Sequence, residues 1–331
     1  MNKLLKINND KAYFGINWAL MNHCNYKCNY CHSDLNGGTI KHPKYEEVIF
    51  FVKKIIEHSS KLRFNPYFEF GGGEVTLLRY FPDLIRYICE HQGLVSIISN
   101  GSKSLKWWEQ NVQFLNGVSL SYHVNDIKSE THFIKVAKIL EASRITRLHV
   151  NVMMDPSQFE DCYAFAMNLK KQVKCSIALQ PLFEGFGSGG ITHKYTYTKE
   201  QEKLMQKFRG RPDEKDLPEP RAFLNVEYSD GSVDTLSTFD LLINDKVNFI
   251  GWDCYAGVES VVVTFSGDIY RAWCMQDGPI GSIYDKEINL PTKPTRCRTK
   301  ICQCGAGISS TKINRNILRS KDNCIDITEL D

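Results

Sequence analysis

Cys24-Asn25-Tyr26-Lys27-Cys28-Asn29-Tyr30-Cys31 sets three thiols in a C-x3-C-x2-C run directly after an apolar, strand-like segment. A loop this short can turn all three sulfurs toward one point and still leave a fourth coordination position empty. Thiolates are soft ligands that select zinc or iron–sulfur clusters. A structural zinc ion normally takes four protein ligands, and the nearest fourth donor is His32, beside Cys31. With the fourth position open, the same three thiolates suit a [4Fe-4S] cluster whose free iron binds something else. The cysteines alone admit both.

Positioning such a loop needs a scaffold. Over roughly the first 180 residues, apolar strand-like runs alternate with helical patterns, the signature of parallel strands joined by crossover helices. Strands are expected at Tyr13–Met21, Tyr67–Phe70, Leu94–Ser99, Val118–Tyr122, Leu148–Met154 and Ser176–Leu182. Between them, Val48, Phe51, Val52, Ile55 and Ile56 share one helical face, and Pro82 opens a second helix with Leu84, Ile85, Ile88 and Cys89 inward. Further helices are expected at 105–115, 130–140 and 156–169. The fold class is α/β, a partial (β/α)6 TIM-like barrel. In such folds the chemistry sits beyond the C-terminal strand ends, and the Cys24 loop follows the first strand at that end.

Other strand ends carry polar groups. The second runs into Gly71-Gly72-Gly73-Glu74, where glycines let the backbone approach a ligand and Glu74 offers a carboxylate to an ammonium. The third ends in Ser99-Asn100-Gly101 and the fourth in Ser119-Leu120-Ser121-Tyr122-His123; on the fifth, His149, Asn151 and Met153 share one face. Tyr122, His123, Gln180 and Glu184 are candidates for substrate contact.

The ordered set of cysteine loop, Tyr30 and Gly72-Gly73-Glu74 resembles the radical S-adenosylmethionine (radical SAM) superfamily. The resemblance implies that Cys24, Cys28 and Cys31 ligate a [4Fe-4S] cluster, that its free iron chelates SAM, and that cleavage of SAM yields a 5′-deoxyadenosyl radical. It places Tyr30 near the adenine and Gly72, Gly73 and Glu74 at the methionyl amino group, with Val75 where a proline often follows. Ser99, Asn100, Ser121 and Asn151 are the expected cofactor contacts at the other strand ends.

The segment after residue 210 has its own pattern. Two hairpins are expected, at 225–236 around Ser229-Asp230-Gly231-Ser232 and at 260–273 around Ser266-Gly267-Asp268. The second is bracketed by Cys254 and Cys274, with Cys297, Cys302 and Cys304 beyond it, enough thiols to close a four-thiolate site. Gly267, Asp268 and Gly281-Ser282-Ile283-Tyr284 make this part similar to the SPASM and Twitch auxiliary-cluster domains. Gly267 stands two residues farther from Cys274 than the usual G-x4-C, and the distal C-x4-C-x-C is compact, which favours the Twitch form with one auxiliary [4Fe-4S] cluster. Cys254 and Cys274 are expected ligands, with at least two of Cys297, Cys302 and Cys304. A zinc ribbon uses the same ligand types. The division expected is 1–210 for the barrel and 211–331 for the auxiliary domain. Cys89, Cys162 and Cys175 read as buried apolar thiols, and Cys324 is either a further ligand or idle.

The chain has 331 residues, 42% hydrophobic and 24% charged, with a formal charge of +3. Its basic residues are dispersed, so neither nucleic acid nor membrane is an expected partner. The polar stretch Ile7-Asn8-Asn9-Asp10-Lys11 interrupts any signal peptide, and twelve cysteines in a cytoplasmic chain point to metal chemistry rather than disulfides. The expected function is a radical SAM enzyme that abstracts hydrogen from a substrate C–H bond. Its auxiliary cluster would assist oxidation or bond formation, and an external donor such as flavodoxin or ferredoxin would supply electrons. The substrate is a small biosynthetic intermediate or a ribosomal peptide; a strand starting by about Ala12 leaves no room for a preceding winged helix. The alternatives are a non-enzymatic iron–sulfur or zinc protein and an RNA-modifying radical enzyme.

Overall fold

The computed structural model describes residues 3–9, 13–184, 193–211, 223–302 and 305–315. Strand β1 (Leu4–Asn8) precedes β2 (Tyr13–Met21), which runs into the cysteine loop and the short helix α1 (Ser33–Asn36). Then come α2 (Tyr45–Leu62), β3 (Asn65–Gly72), α3 (Phe81–Glu90), β4 (Leu94–Ser99), α4 (Leu105–Asn111), β5 (Gly117–Tyr122), α5 (Glu130–Ala142), β6 (Arg147–Met154), α6 (Phe159–Gln172) and β7 (Ser176–Pro181). Strands β2 to β7 pair in that order, each parallel to the next. The sheet is an open partial barrel with all six C-terminal ends on one rim.

Period-two alternation divides its faces. Val118, Leu120 and Tyr122 on β5 and Leu148, Val150, Val152 and Met154 on β6 are buried, whereas the residues between them are only partly covered. The buried set meets the helices. On α2, Val48, Phe51, Val52 and Ile55 form one stripe, and Trp18 of β2 stands edge-on to Phe51 with centroids 5.1 Å apart. Fully burying each such side chain is worth about 1.5–3 kcal/mol. Sheet packing therefore outweighs intrinsic propensity in fixing these helices. Helix α2 starts where Glu47 Oε2 accepts the Lys44 N–H at 2.7 Å and stops at Arg63, whose φ of 58° is left-handed. It runs on to Leu62, beyond Ile56 where the apolar stripe ends, because residues 60–62 are exposed and add nothing to the stripe.

The remaining elements are β8 (Phe183–Glu184), β9 (His193–Lys194), α7 (Lys199–Lys207), β10 (Leu224–Tyr228), β11 (Val233–Leu236), α8 (Thr238–Ile243), β12 (Asp253–Cys254), β13 (Ser260–Val263), β14 (Asp268–Tyr270), β15 (Gly281–Ser282), β16 (Thr295–Arg296), α9 (Gly305–Ser309) and β17 (Lys312–Ile313). Both expected hairpins form, as β10–β11 and β13–β14. Their attachments cross the division expected at residue 210. Strand β13 pairs in parallel with β2, so β13, β14 and β15 extend the barrel sheet to nine strands. In the other direction β1, unforeseen in the sequence, joins a six-stranded sheet ordered β11-β10-β1-β17-β12-β16. Leu5 and Ile7 are the buried alternate residues of β1, a period of two too short to stand out beside the polar residues that follow. The second sheet has its own core, with Ile7, Leu224, Val226, Phe249, Trp252, Cys254 and Cys297 in one cluster. The glycines at 185–190, the proline-rich stretch 212–221, Cys304 and Cys324 lie outside the described residues. Among the described residues, no helix is long and apolar enough to cross a membrane.

Glu259, at the seam between the two sheets, is half-buried, and Oε2 accepts the Thr311 N–H at 2.8 Å. Burial pushes its carboxyl up from the ordinary 4.5. The folded state thus holds this proton more tightly than the unfolded chain. Its contribution to stability is complete below pH 4.5 and is lost as pH rises through the raised value. Thermal melts of wild type and Glu259→Gln from pH 4.5 upward are expected to shift in favour of the variant as pH rises. A pH-independent difference would contradict the assignment.

Candidate functional site

The cysteine loop leaves the C-terminal end of β2 and is laced to the segments that follow β3, β4 and β5. Gly73 donates its N–H to the Met21 carbonyl at 2.6 Å, and Glu74 donates to the His23 carbonyl at 2.8 Å. A Cβ on Gly73 would stand 2.1 Å from the His23 oxygen, and one on Gly72, at φ 111°, 2.3 Å from the Met21 oxygen. The glycine run is thus required by the close approach of β3 to the segment entering the loop, and these amides are spent there rather than left for a ligand.

The Glu74 side chain is held by its neighbours at the strand ends. It is 1% exposed and turned inward. Oε1 accepts from Thr76 N at 3.2 Å, Thr76 Oγ1 at 2.6 Å and Ser99 Oγ at 2.9 Å, and Oε2 accepts from Asn100 N at 2.7 Å. A carboxylate so enclosed ties the ends of β3 and β4 together instead of reaching outward for an ammonium. Ser99 is spent in the same way, donating to Glu74 and accepting from Gly101 N at 3.1 Å. Burial pushes the Glu74 carboxyl up against the lowering effect of these donors.

Asn100 carries this tie to the loop. Its Nδ2 lies 3.6 Å from Cys24 Sγ and 3.0 Å from Asn25 Oδ1. Asn25 also bonds Ser102 at 3.0 Å, and the Lys27 N–H meets Asp126 Oδ1 at 2.9 Å. The Lys27 ammonium closes the loop onto the Asn36 carbonyl at 2.9 Å. Asn25, Ser102 and Asp126 were not among the sequence candidates, since polar residues in loops carry no periodic signal.

His123 lies against the cysteine loop. The Tyr30 hydroxyl is hydrogen-bonded to its Nδ1 at 2.5 Å, Cys28 Sγ is 3.4 Å from the same nitrogen, and the Tyr30 and His123 rings stack at 5.9 Å. Burial holds the imidazole neutral, pushed down to about 4. Tyr122, its neighbour, points the other way. It stacks on Phe165 at 3.6 Å and donates to Glu130 Oε1 at 2.6 Å, on the helix side of the sheet and away from the barrel interior. Strand alternation forces this, because consecutive residues face opposite sides.

The barrel interior is polar. Asn151 Nδ2 donates to Ser119 Oγ at 2.9 Å, and its Oδ1 lies 3.0 Å from His149 Nε2. Ser121 is paired with Asn151 across β5 and β6, and Gln180 with Met153 across β6 and β7. Ile98, from β4, is 53% exposed on the same face. Glu184 is in β8, its backbone paired with His193. Trp273 was missed in the sequence; its Nε1 donates to Asn17 Oδ1 at 2.6 Å, from the hairpin side onto β2. Asn17 was detectable as the polar residue within an otherwise apolar strand.

The thiols of the loop fit a soft metal group. Burial pushes Cys24 and Cys28 up and Cys31 up to about 11, and the field of Cys24 adds to the effect on Cys31. Buried thiols held protonated exchange protons for metal when metal binds. His32 Nδ1 is engaged in capping α1, accepting from Asp34 N at 3.2 Å. Among the described residues no three His, Cys, Asp or Glu side chains already sit as a metal-holding group.

The second set of thiols gathers in the C-terminal core. Cys254 and Cys297 are buried in one cluster, with Cys302 packed against it. Cys254 pairs with Thr295, two residues from Cys297. Cys274 is exposed, but Gln276 beside it donates to the Arg296 carbonyl at 2.7 Å and accepts from Arg298 N at 2.8 Å, on both sides of Cys297. Gly267, at φ 87°, lets Tyr284 and Ile283 close over the hairpin. Cys162 and Cys175 are buried among apolar residues, and Cys89 is half-buried with its thiol on the Phe114 carbonyl at 3.2 Å.

Among curated proteins none matches the chain. Solved structures similar to it include native anSMEcpe with bound AdoMet, at 18% identity over 82% of this chain and 78% of that one, with a TM-score of 0.49. Another is Streptococcus suis SuiB bound to precursor peptide SuiA, at 15% identity over 83% of this chain and 63% of that one, with a TM-score of 0.48. Archaeal TYW1 aligns with 46% of this chain and 71% of its own at 14% identity and a TM-score of 0.26. Residues 18–173 match the family model described as the radical SAM superfamily. That span holds the cysteine loop, the glycine run, Glu74, Asn100 and His123, and over it the chain is similar to the radical SAM superfamily, whose members work with a [4Fe-4S] cluster and SAM.

Proposed function

We propose that this protein is a radical SAM oxidoreductase or maturase in which Cys24, Cys28 and Cys31 hold the SAM-binding cluster. A second cluster in the C-terminal core, held by Cys254, Cys274, Cys297 and Cys302 or Cys304, assists net oxidation or bond formation on the substrate. The observation that carries the first half is the three-thiol loop at the C-terminal strand ends, with Cys28 buried and Cys24 and Cys31 half-buried, braced by Asn100, Asp126 and His123. With SAM bound, the cluster supplies a 5′-deoxyadenosyl radical that removes hydrogen from a C–H bond. The chain's own residues do the positioning.

Asn100 orients Cys24, and His123 orients Tyr30 and Cys28. The carbonyls of Gly72 and Gly73, with Tyr30, Ser121 and Asn151, are the SAM contacts in this reading, while Glu74 and Ser99 act through Asn100. Ser119, His149, Asn151, Gln180 and the exposed Ile98 line the interior offered to the substrate, a mixed surface suited to a polar intermediate or a short peptide. An external flavodoxin or ferredoxin is the electron source.

The test is anaerobic reconstitution with iron and sulfide counted per chain. Wild type is expected to hold about eight iron atoms and a Cys254→Ala/Cys297→Ala variant about four, both releasing 5′-deoxyadenosine from SAM with dithionite. Zinc in place of iron, or intact SAM, would overturn the proposal; equal iron in both proteins would remove the second cluster from it.

A further inference from the structure

Among the described residues, Lys312 is the one lysine or arginine that is buried, at 1% exposure. A buried ammonium is costly unless its donors are met. Its Nζ donates to the Gly307 carbonyl, to Ile308 O at 3.3 Å and to Ser310 O at 3.0 Å, and stands 5.0 Å over the Phe249 ring. Carbonyls and a ring face solvate the cation without neutralising it. Its position in the second sheet is specific: on β17 it pairs with Ile7 of β1 on one side and with Cys254 of β12 on the other. Directly opposed residues in an antiparallel pair have Cβ atoms about 4.5–5.5 Å apart and face the same side. The ammonium also acts electrostatically on Cys297 and on Glu259. One cation thus stands beside two of the three thiols that the C-terminal core brings together.

We propose that Lys312 is a positioning residue for charge, offsetting the negative thiolate cluster of the C-terminal core and raising its reduction potential. This rests on the proposed assignment of Cys254, Cys274 and Cys297 to that cluster. Four thiolates give a [4Fe-4S] centre a net negative charge, and one-electron reduction adds another. Net charge is among the factors that set such potentials. A fixed cation nearby favours the reduced state, and the Glu259 carboxylate, which interacts with Lys312, opposes it.

The experiment uses the full chain carrying Cys24→Ala, Cys28→Ala and Cys31→Ala, so that any remaining cluster is the C-terminal one. It is reconstituted anaerobically and titrated with dithionite under electron paramagnetic resonance. Lys312→Met is expected to shift the one-electron equilibrium toward the oxidised cluster by about tenfold, a drop of about 59 mV. Lys312→Arg is expected to keep the parent potential, and Glu259→Gln, which retains an acceptor for Thr311, to move it upward. If Lys312→Met fails to fold, the upward shift in Glu259→Gln carries the test alone. A loaded cluster whose potential is the same in Lys312→Met, Glu259→Gln and the parent overturns the inference and leaves Lys312 as a cap on α9. A parent that binds no iron overturns the C-terminal cluster itself, and the inference with it.

Discussion

Replacing Cys24, Cys28 and Cys31 together by alanine is expected to abolish 5′-deoxyadenosine formation from SAM while about four iron atoms per chain remain. The three thiols sit on one loop at the rim of the barrel, whereas Cys254, Cys297 and Cys302 belong to the separate core of the second sheet. The alanines leave the bonds of Asn25 to Ser102 and of Lys27 to Asp126 and Asn36 in place, so the loop keeps its backbone ties. Loss of chemistry with retention of fold and of half the iron is therefore the specific outcome. Circular dichroism, iron counting and product assay on the same samples check it; SAM cleavage at the wild-type rate would show that the radical arises elsewhere.

Glu74→Ala is expected to lower folding stability by about 3 kcal/mol or more and to weaken iron retention at the Cys24 loop. The substitution strips the acceptor from four donated hydrogen bonds at residues that are themselves 1–6% exposed. Each buried donor left unmet costs about 1–3 kcal/mol. Because Asn100 is held by its backbone N–H to Glu74 and touches Cys24 with its side chain, the loss is transmitted to the cluster loop. Glu74→Gln should cost less, since the amide oxygen can still serve Thr76 and Ser99 while its nitrogen confronts only the Asn100 N–H. Denaturant melts on the metal-free chain and iron retention during gel filtration of the loaded chain separate the two effects. A Glu74→Ala protein as stable as wild type, losing only SAM affinity, would restore an outward-facing carboxylate.

Much of this architecture was legible in the residues themselves. The six parallel strands follow from apolar runs alternating with helical stripes, and β2 and β4 fall at the expected bounds because Asn22 closes β2 and Gly93 and Asn100 bracket β4. Helix boundaries were less legible where an exposed final turn extends past the apolar stripe, as in α2. The cysteine loop was identifiable because ligand spacing is local. The same holds for the glycines, and the register of β3 against Met21 and His23 adds a steric reason for them that only the tertiary structure reveals.

What the chain determines by itself is what lies within a few residues: the C-x3-C-x2-C loop, the alternation that builds the barrel, and the two hairpins. What the tertiary structure decided is which way each polar group turns and which distant segments meet. Glu74, Ser99 and Tyr122 have the residue types of ligand contacts, yet burial and strand parity turn them inward, while His123 and Asn100 face the cysteines. Strand β1 joins β10 and β17, and β13 joins β2, through hydrogen bonds between residues more than two hundred positions apart. Backbone pairing is indifferent to side-chain identity, so these partnerships leave little trace in a linear sequence. They alone bring Lys312 to Cys254 and Trp273 to Asn17.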